Sequence, residues 1–245
     1  MTTLAPVPNR FIQKLECFSQ LSDEERTLLQ DVSASGRLVG AGVELIEEGD
    51  KPRGPLLIME GMAFRYKMRA SGQRQIMAYL IPGDLDDTDA ALLTEMDHSI
   101  RTFSDCRVVW LTLETIQRLR QYPSIARALR MSTLVDEATL REWLLNVGAR
   151  CAIERVAHLL CELYLRLDAV GLVSELSYEL PVRQADLADT TGMSSVHVNR
   201  SLMELRRKGL IVFKGRRLTI TDWKGLKALA EFKANYLHIG ERNAA

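Results

Sequence analysis

Pro181-Val182-Arg183-Gln184-Ala185-Asp186-Leu187-Ala188-Asp189-Thr190-Thr191-Gly192-Met193-Ser194-Ser195-Val196-His197-Val198-Asn199-Arg200-Ser201-Leu202-Met203-Glu204-Leu205-Arg206-Arg207 decides the fold of this 245-residue chain. Residues 181–189 read as a short helix with Leu187 facing inward. Residues 190–194 read as a tight turn, because Gly192 suits a positive φ. Ser194 caps the helix that follows. In that helix Val198, Leu202 and Leu205 fall at i, i+4 and i+7, one buried face. Ser195, Val196, Asn199 and Arg200 lie on other faces near its N-terminal end. Two helices joined by a short glycine turn, the second opening with polar side chains, follow the helix-turn-helix plan.

The residues just downstream extend the pattern. Lys208-Gly209 ends the helix, and Leu210-Ile211-Val212-Phe213 reads as a strand. Lys214-Gly215-Arg216-Arg217 is a basic turn, and Leu218-Thr219-Ile220-Thr221 is the return strand. A hairpin with a cationic tip is a wing suited to resting on phosphates. Residues 183–217 hold eight bases against three acids, an excess of five positive charges. Residues 84–97 hold six acids and no Lys or Arg. The chain as a whole has 32 bases and 32 acids, so this unevenness, not the net charge, points one end at a polyanion.

Upstream, Ser124–Asn146 contains no Gly or Pro, and Pro123 suits the first helical turn. Ala128, Met131, Val135, Ala138 and Leu145 keep a 3/4 spacing, and Leu134, Trp143 and Leu144 widen the apolar surface. So wide a stripe predicts one face on the chain's own barrel and one on a second copy. Burial within one subunit is the alternative, since periodicity does not distinguish the two. Gly148 is expected to end this helix, and a second is expected from about 152 to 167. Residues 168–180 read as a loop with short strand character. From Gly36 to Leu113 short apolar runs alternate with turn residues: Leu56–Met59, Ile76–Leu80 and Val108–Leu111 among Gly49-Asp50, Gly61, Ser71-Gly72 and Pro82-Gly83-Asp84. That spacing predicts an antiparallel barrel or sandwich. Ahead of it, Ser22 with Glu25 three residues on predicts a capping box.

Composition narrows the class. With 47% hydrophobic and 26% charged residues the chain reads as an ordinary folded protein, not a disordered or collagenous one. No apolar run approaches the ~18 residues needed to span a bilayer, and residues 1–10 lack the apolar core of a secretory signal. Cys17, Cys106, Cys151 and Cys161 are scattered without a C-x-x-C pair, which fits reduced cytoplasmic thiols.

With these motifs in place, the chain resembles the Crp–Fnr transcription regulators, the family of the catabolite activator protein. The resemblance rests on the glycine-punctuated roll, the long helix and the segment from Arg183 to Thr221. It implies an α+β fold: a cyclic-nucleotide-binding-like antiparallel β-roll at 1–121, a dimerisation helix at 122–147, a winged helix-turn-helix domain at 148–235 and a tail at 236–245. It also implies a homodimer that binds palindromic double-stranded DNA, and leaves RNA polymerase open as a further partner.

Nucleotide-binding members carry a Gly-Glu-Leu run and then an Arg-Ser pair after the Pro-Gly-Asp turn. Here those places fall near Asp87-Thr88-Asp89 and Met96-Asp97, and neither matches. An anionic phosphate facing acids without a cationic partner is penalised, so no cyclic nucleotide is expected. Arg101 is the nearest base and, by strand alternation, is expected to point elsewhere. His98 reads as a surface loop residue. An iron–sulfur cluster would need three more N-terminal thiolates than Cys17 provides. Cys106, Cys151 and Cys161 read as small buried hydrophobes. The expectation is therefore no metal, no cofactor and an unknown ligand, with another small effector or thiol oxidation as the alternative signal.

In the expected DNA complex, Arg200 reaches guanine O6 and N7, while Ser195 and Asn199 contact base edges or phosphate. Val196 stands where many relatives carry Glu and suits a thymine methyl. Ser194, His197, Lys214, Arg216 and Arg217 are phosphate candidates. The rival reading is a metal-dependent phosphoryl-transfer enzyme using the acids at 84–89. It lacks a general base, a P-loop and a nucleophile motif, so the expectation is a regulator and not an enzyme.

Overall fold

The computed structural model describes residues 8–239. Helices α1 (Arg10–Glu16) and α2 (Asp23–Ala34) lead in. The capping box forms: the Glu25 N–H donates to Ser22 Oγ at 3.2 Å, and the Ser22 N–H donates to the Glu25 carboxylate at 2.8 Å. Eight strands follow: β1 (Arg37–Val39), β2 (Glu44–Ile46), β3 (Leu56–Glu60), β4 (Ala63–Met68), β5 (Arg74–Leu80), β6 (Leu85–Asp86), β7 (Ser99–Thr102) and β8 (Cys106–Trp110). They make two antiparallel four-stranded sheets, ordered β1-β8-β3-β6 and β2-β7-β4-β5.

Strand β3 shows why its sequence is apolar without interruption. Successive side chains point to opposite faces. Leu56 and Ile58 join Ile46, Leu80, Ile100 and Val108 in one cluster. Leu57 and Met59 join Phe11, Leu15, Leu29 and Ile116 in another, under the helices. Both faces are covered from Leu56 to Met59, so neither carries a polar residue before the exposed Glu60 at the strand's end. The turn Pro82-Gly83-Asp84 lies against α1, and at Gly83 (φ +95°) a side chain would strike the Arg10 carbonyl oxygen.

Helix α3 (Leu113–Leu119) leads to α4 (Pro123–Ala149), whose 27 residues span about 40 Å. Gly148 lies inside α4 and does not end it, contrary to expectation. A helical glycine costs only about 1 kcal/mol, and α4 ends instead at Arg150, which turns extended (ψ 150°) and accepts from the Arg155 side chain at 2.8 Å. The apolar stripe also divides differently from the expected partner face. Ala128, Val135 and Ala138 are buried inside their own chain, in the clusters beneath the barrel and α5 (Ala152–Ala169). Met131 is half-buried, and the exposed leucines are Leu140 (53%), Leu144 (74%) and Leu145 (48%). A 3.6-residue period carries a broad stripe past two neighbours, so spacing alone did not say which positions served which.

The C-terminal part comprises β9 (Ser177–Glu179), α6 (Gln184–Thr191), α7 (Ser195–Arg207), β10 (Ile211–Lys214), β11 (Arg217–Ile220) and α8 (Trp223–Leu229). The short strand expected in 168–180 is β9, which pairs with β11 as the third strand of the hairpin sheet. Tyr236 and Leu237, expected in a tail, are buried in the core with Phe232. The rest of that tail, from 240 on, lies outside the described residues.

A buried polar chain ties these parts together. Asp84 pairs with Lys14 of α1 at 2.9 Å and with Arg166 of α5 at 2.8 Å. Arg166 reaches Glu162 at 3.3 Å, and Glu162 accepts from Trp143 Nε1 at 3.0 Å and from the Tyr236 hydroxyl at 2.8 Å. Burial favours the neutral acid at Asp84, but Lys14 and Arg166 hold its carboxyl below the usual carboxylate range.

Candidate nucleic-acid interface

Helices α6 and α7 form a helix-turn-helix. Leu187 is fully buried on α6, and Val198, Leu202 and Leu205 fix the inner face of α7 at 0–2% exposure. Gly192 closes α6 in the left-handed region (φ +64°), its N–H bonded to the Ala188 carbonyl. α6 runs to Thr191, so the connection is shorter than the 190–194 turn expected. Ser194 Oγ accepts the His197 N–H at 3.3 Å and lies 3.2 Å from His197 Nδ1. Asn199 Nδ2 donates to Gln184 Oε1 at 3.2 Å, which links the two helices at their exposed side.

Ser194, Ser195, Val196, His197, Asn199 and Arg200 are all exposed and share the N-terminal half of α7. Val196 is 59% exposed, a β-branched apolar side chain on an otherwise polar face. Arg200 has no ion pair or hydrogen bond among the described residues, so its guanidinium is open to a ligand. Lys214, Arg216 and Arg217 are exposed around the β10–β11 turn. Arg206, near the end of α7, donates to the Phe213 carbonyl at 3.3 Å and fixes the hairpin to the helix. Sequence reasoning missed this strut and the Gln184–Asn199 bond, since neither leaves a local pattern.

It also missed the contact between this unit and the barrel. Arg74 of β5 pairs with Asp186 at 2.6 Å and Asp189 at 2.7 Å, both on α6. Gln75 reaches the Thr190 carbonyl at 3.3 Å. Two of the three acids that dilute the basic segment are thus already neutralised from outside it.

In the barrel, His98 is 4% exposed, which corrects its reading as a surface loop residue. It precedes β7 and is packed under the acidic segment. Arg101 does turn away, donating to the Gly42 carbonyl at 2.9 Å and lying 3.9 Å from Glu44. Cys106 and Cys161 are buried as expected, and burial pushes the Cys106 thiol up to about 11. Cys151 is exposed, contrary to expectation, because it is the N-terminal cap of α5 and points to solvent.

Comparison with known proteins reaches both halves. Residues 37–122 match the profile of the cyclic nucleotide-binding domain, and residues 154–229 match that of the Crp-like helix-turn-helix domain. The transcriptional activator protein FnrL of Cereibacter sphaeroides is 26% identical over 85% of each chain. The nitrogen fixation regulation protein FixK of Azorhizobium caulinodans is 25% identical over 92% of this chain and 95% of its own. The structure of FixK2 from Bradyrhizobium japonicum shares the fold, with a TM-score of 0.71 at 23% identity over 80% of this chain and 96% of that one. The chain belongs to the Crp–Fnr family. This Crp–Fnr protein is a regulator of transcription with a helix-turn-helix DNA-binding domain. Its named relatives are regulators and not enzymes, which sets aside phosphoryl transfer at residues 84–89. Among the described residues no helix is long and apolar enough to cross a membrane.

Proposed function

We propose that this chain acts as a homodimer on a palindromic DNA site, with α7 in the major groove of each half-site. The observation that carries the reading is the division of α7: its apolar face is sealed, while Arg200, Asn199, Ser195 and Val196 are left exposed together. Arg200 is the guanine reader, Ser195 and Asn199 take base edges, and Val196 takes a thymine methyl. Ser194, His197, Lys214, Arg216 and Arg217 take phosphates. The two α7 helices then stand about 34 Å apart, one turn of DNA. Support for the dimer comes from the exposed Leu140, Leu144 and Leu145 on α4, the same helix that carries Met131. The functional division is a sensor to 121, the dimer helix, and a DNA-binding part from about 148.

The sensor takes no cyclic nucleotide in this reading. Asp86 and Asp87 converge with His98 there, Arg65 is already paired with Asp86, and Arg101 faces elsewhere, so a phosphate would meet carboxylates without a free cation. The relatives' names, activator and regulation protein, support an activator that meets RNA polymerase in the cytoplasm. Site selection from random duplexes tests the core of this. The expected outcome is a two-fold symmetric site, with Arg200→Ala losing about 1–3 kcal/mol and relaxing one guanine position. A variant that selects the same site with unchanged affinity overturns the assignment.

A further inference from the structure

Three buried or half-buried side chains converge beneath the acidic segment without bonding one another. His98 Nε2 lies 3.7 Å from Asp86 Oδ2 and 3.6 Å from Asp87 Oδ2, too far for hydrogen bonds. Asp86 and His98 are 1% and 4% exposed, and both Asp86 Oδ2 and His98 Nε2 are buried with no hydrogen-bond partner. The remaining ring nitrogen of His98 and the remaining oxygen of Asp86 are engaged. Asp97 Oδ1 lies 2.8 Å from His98 Nδ1, and Arg65 holds Asp86 Oδ1. Nε2 and the two carboxylate oxygens therefore surround one buried point without bonding one another, and a cation between them would bond all three.

We propose that Asp86, Asp87 and His98 bind a divalent first-row transition-metal ion, with Asp97 positioning the imidazole. A tetrahedral ion bound at ~2.1 Å holds its ligand atoms about 3.4 Å apart, close to the separations seen. One imidazole nitrogen and two carboxylates suit Zn²⁺ or Mn²⁺ over soft or purely oxygen-seeking cations. The Asp97–His98 pair is the arrangement that fixes a ligating imidazole from behind. Asp87 also lines a cavity of about 190 Å³ with Ser132, Thr133 and Asp136 of α4, which gives the site an entrance and places it against the long helix.

The full chain, stripped with chelator, is titrated with Zn²⁺ and in parallel with Mn²⁺ by calorimetry, and bound metal is counted by mass spectrometry. One equivalent per chain is expected, with Mg²⁺ at least ten-fold weaker. His98→Ala and Asp87→Asn each lower affinity at least about 100-fold, and Asp97→Asn lowers it about 10–100-fold. If His98→Ala melts early, Asp87→Asn carries the test, since Asp87 lies at the cavity edge. No saturable binding to the native chain overturns the proposal. So does binding that survives both variants and disappears with Cys151→Ser. DNA binding is not measured here, so this result stands or falls apart from the proposed function.

Discussion

The Tyr79 hydroxyl oxygen, on strand β5 of the barrel, lies 2.7 Å from the Thr190 hydroxyl oxygen near the end of α6. Both side chains are buried, and Thr190 Oγ1 also donates to the Asp186 carbonyl at 2.8 Å. Together with the Arg74 pairs, this joins the barrel directly to the first helix of the helix-turn-helix. Tyr79→Phe is expected to cost about 1 kcal/mol, one hydrogen bond. Arg74→Ala is expected to cost somewhat more, since Asp186 and Asp189 then face each other without the cation. In both variants hydrogen exchange rises in α6 while β3 and β8 keep their protection. An α6 that exchanges as slowly as in the native chain contradicts the coupling.

The wing bases are solvated, so their contribution should appear as salt dependence. Lys214→Ala, Arg216→Ala and Arg217→Ala are each expected to weaken binding to all sequences alike. Each reduces the slope of log K against log salt by about 1. Fluorescence anisotropy at several salt concentrations measures it. A variant that keeps the full slope makes no phosphate contact.

The exposed leucines on α4 predict a different failure. Leu144→Glu places a charge on the most exposed of them and disturbs nothing inside the chain. Light scattering is expected to show monomers, with the circular-dichroism spectrum unchanged and DNA affinity reduced at least about ten-fold. A Leu144→Glu dimer of native stability moves the interface elsewhere.

His158 contributes to the acid limb of stability. Its ring packs against Phe232 and Tyr236, and neither nitrogen has a hydrogen bond, with Nε2 3.5 Å from the Glu142 carboxylate. Burial, reinforced by Arg150, pushes it down to about 3, whereas an unfolded imidazole titrates near ~6.5. The native state is therefore the weaker proton binder. Stability is full above about pH 6.5 and falls as pH drops toward 3, by up to ~1.4 kcal/mol per unit. His158→Phe, which removes no hydrogen bond, is expected to flatten denaturation midpoints between pH 6 and 4. An unchanged pH profile refutes the buried neutral imidazole.

The winged segment was legible because each of its signals is local. Gly192, Ser194 and the Val198-Leu202-Leu205 triplet need only their own neighbours in sequence to be understood. The roll was legible from Pro82-Gly83-Asp84 and the strand spacing. What escaped was set by tertiary neighbours. Ala128 and Leu145 belong to one apolar stripe in the sequence, yet one lies under the barrel and the other is half exposed. His98 read as a loop residue because nothing in 96–99 tells that β6 passes beneath it. Arg74 gave no signal, since its partners lie more than a hundred positions away.

The ionic core that runs from Lys14 through Asp84, Arg166 and Glu162 to Tyr236 draws on both extremities of the polypeptide. Barrel and DNA-binding domain are therefore not interchangeable cassettes. A chimaera that takes its DNA-binding half from a relative would leave a stranded carboxylate or guanidinium in the interior unless the matching residues travelled with it. The unit that can be exchanged without that penalty is the DNA-binding half together with Lys14 and Asp84.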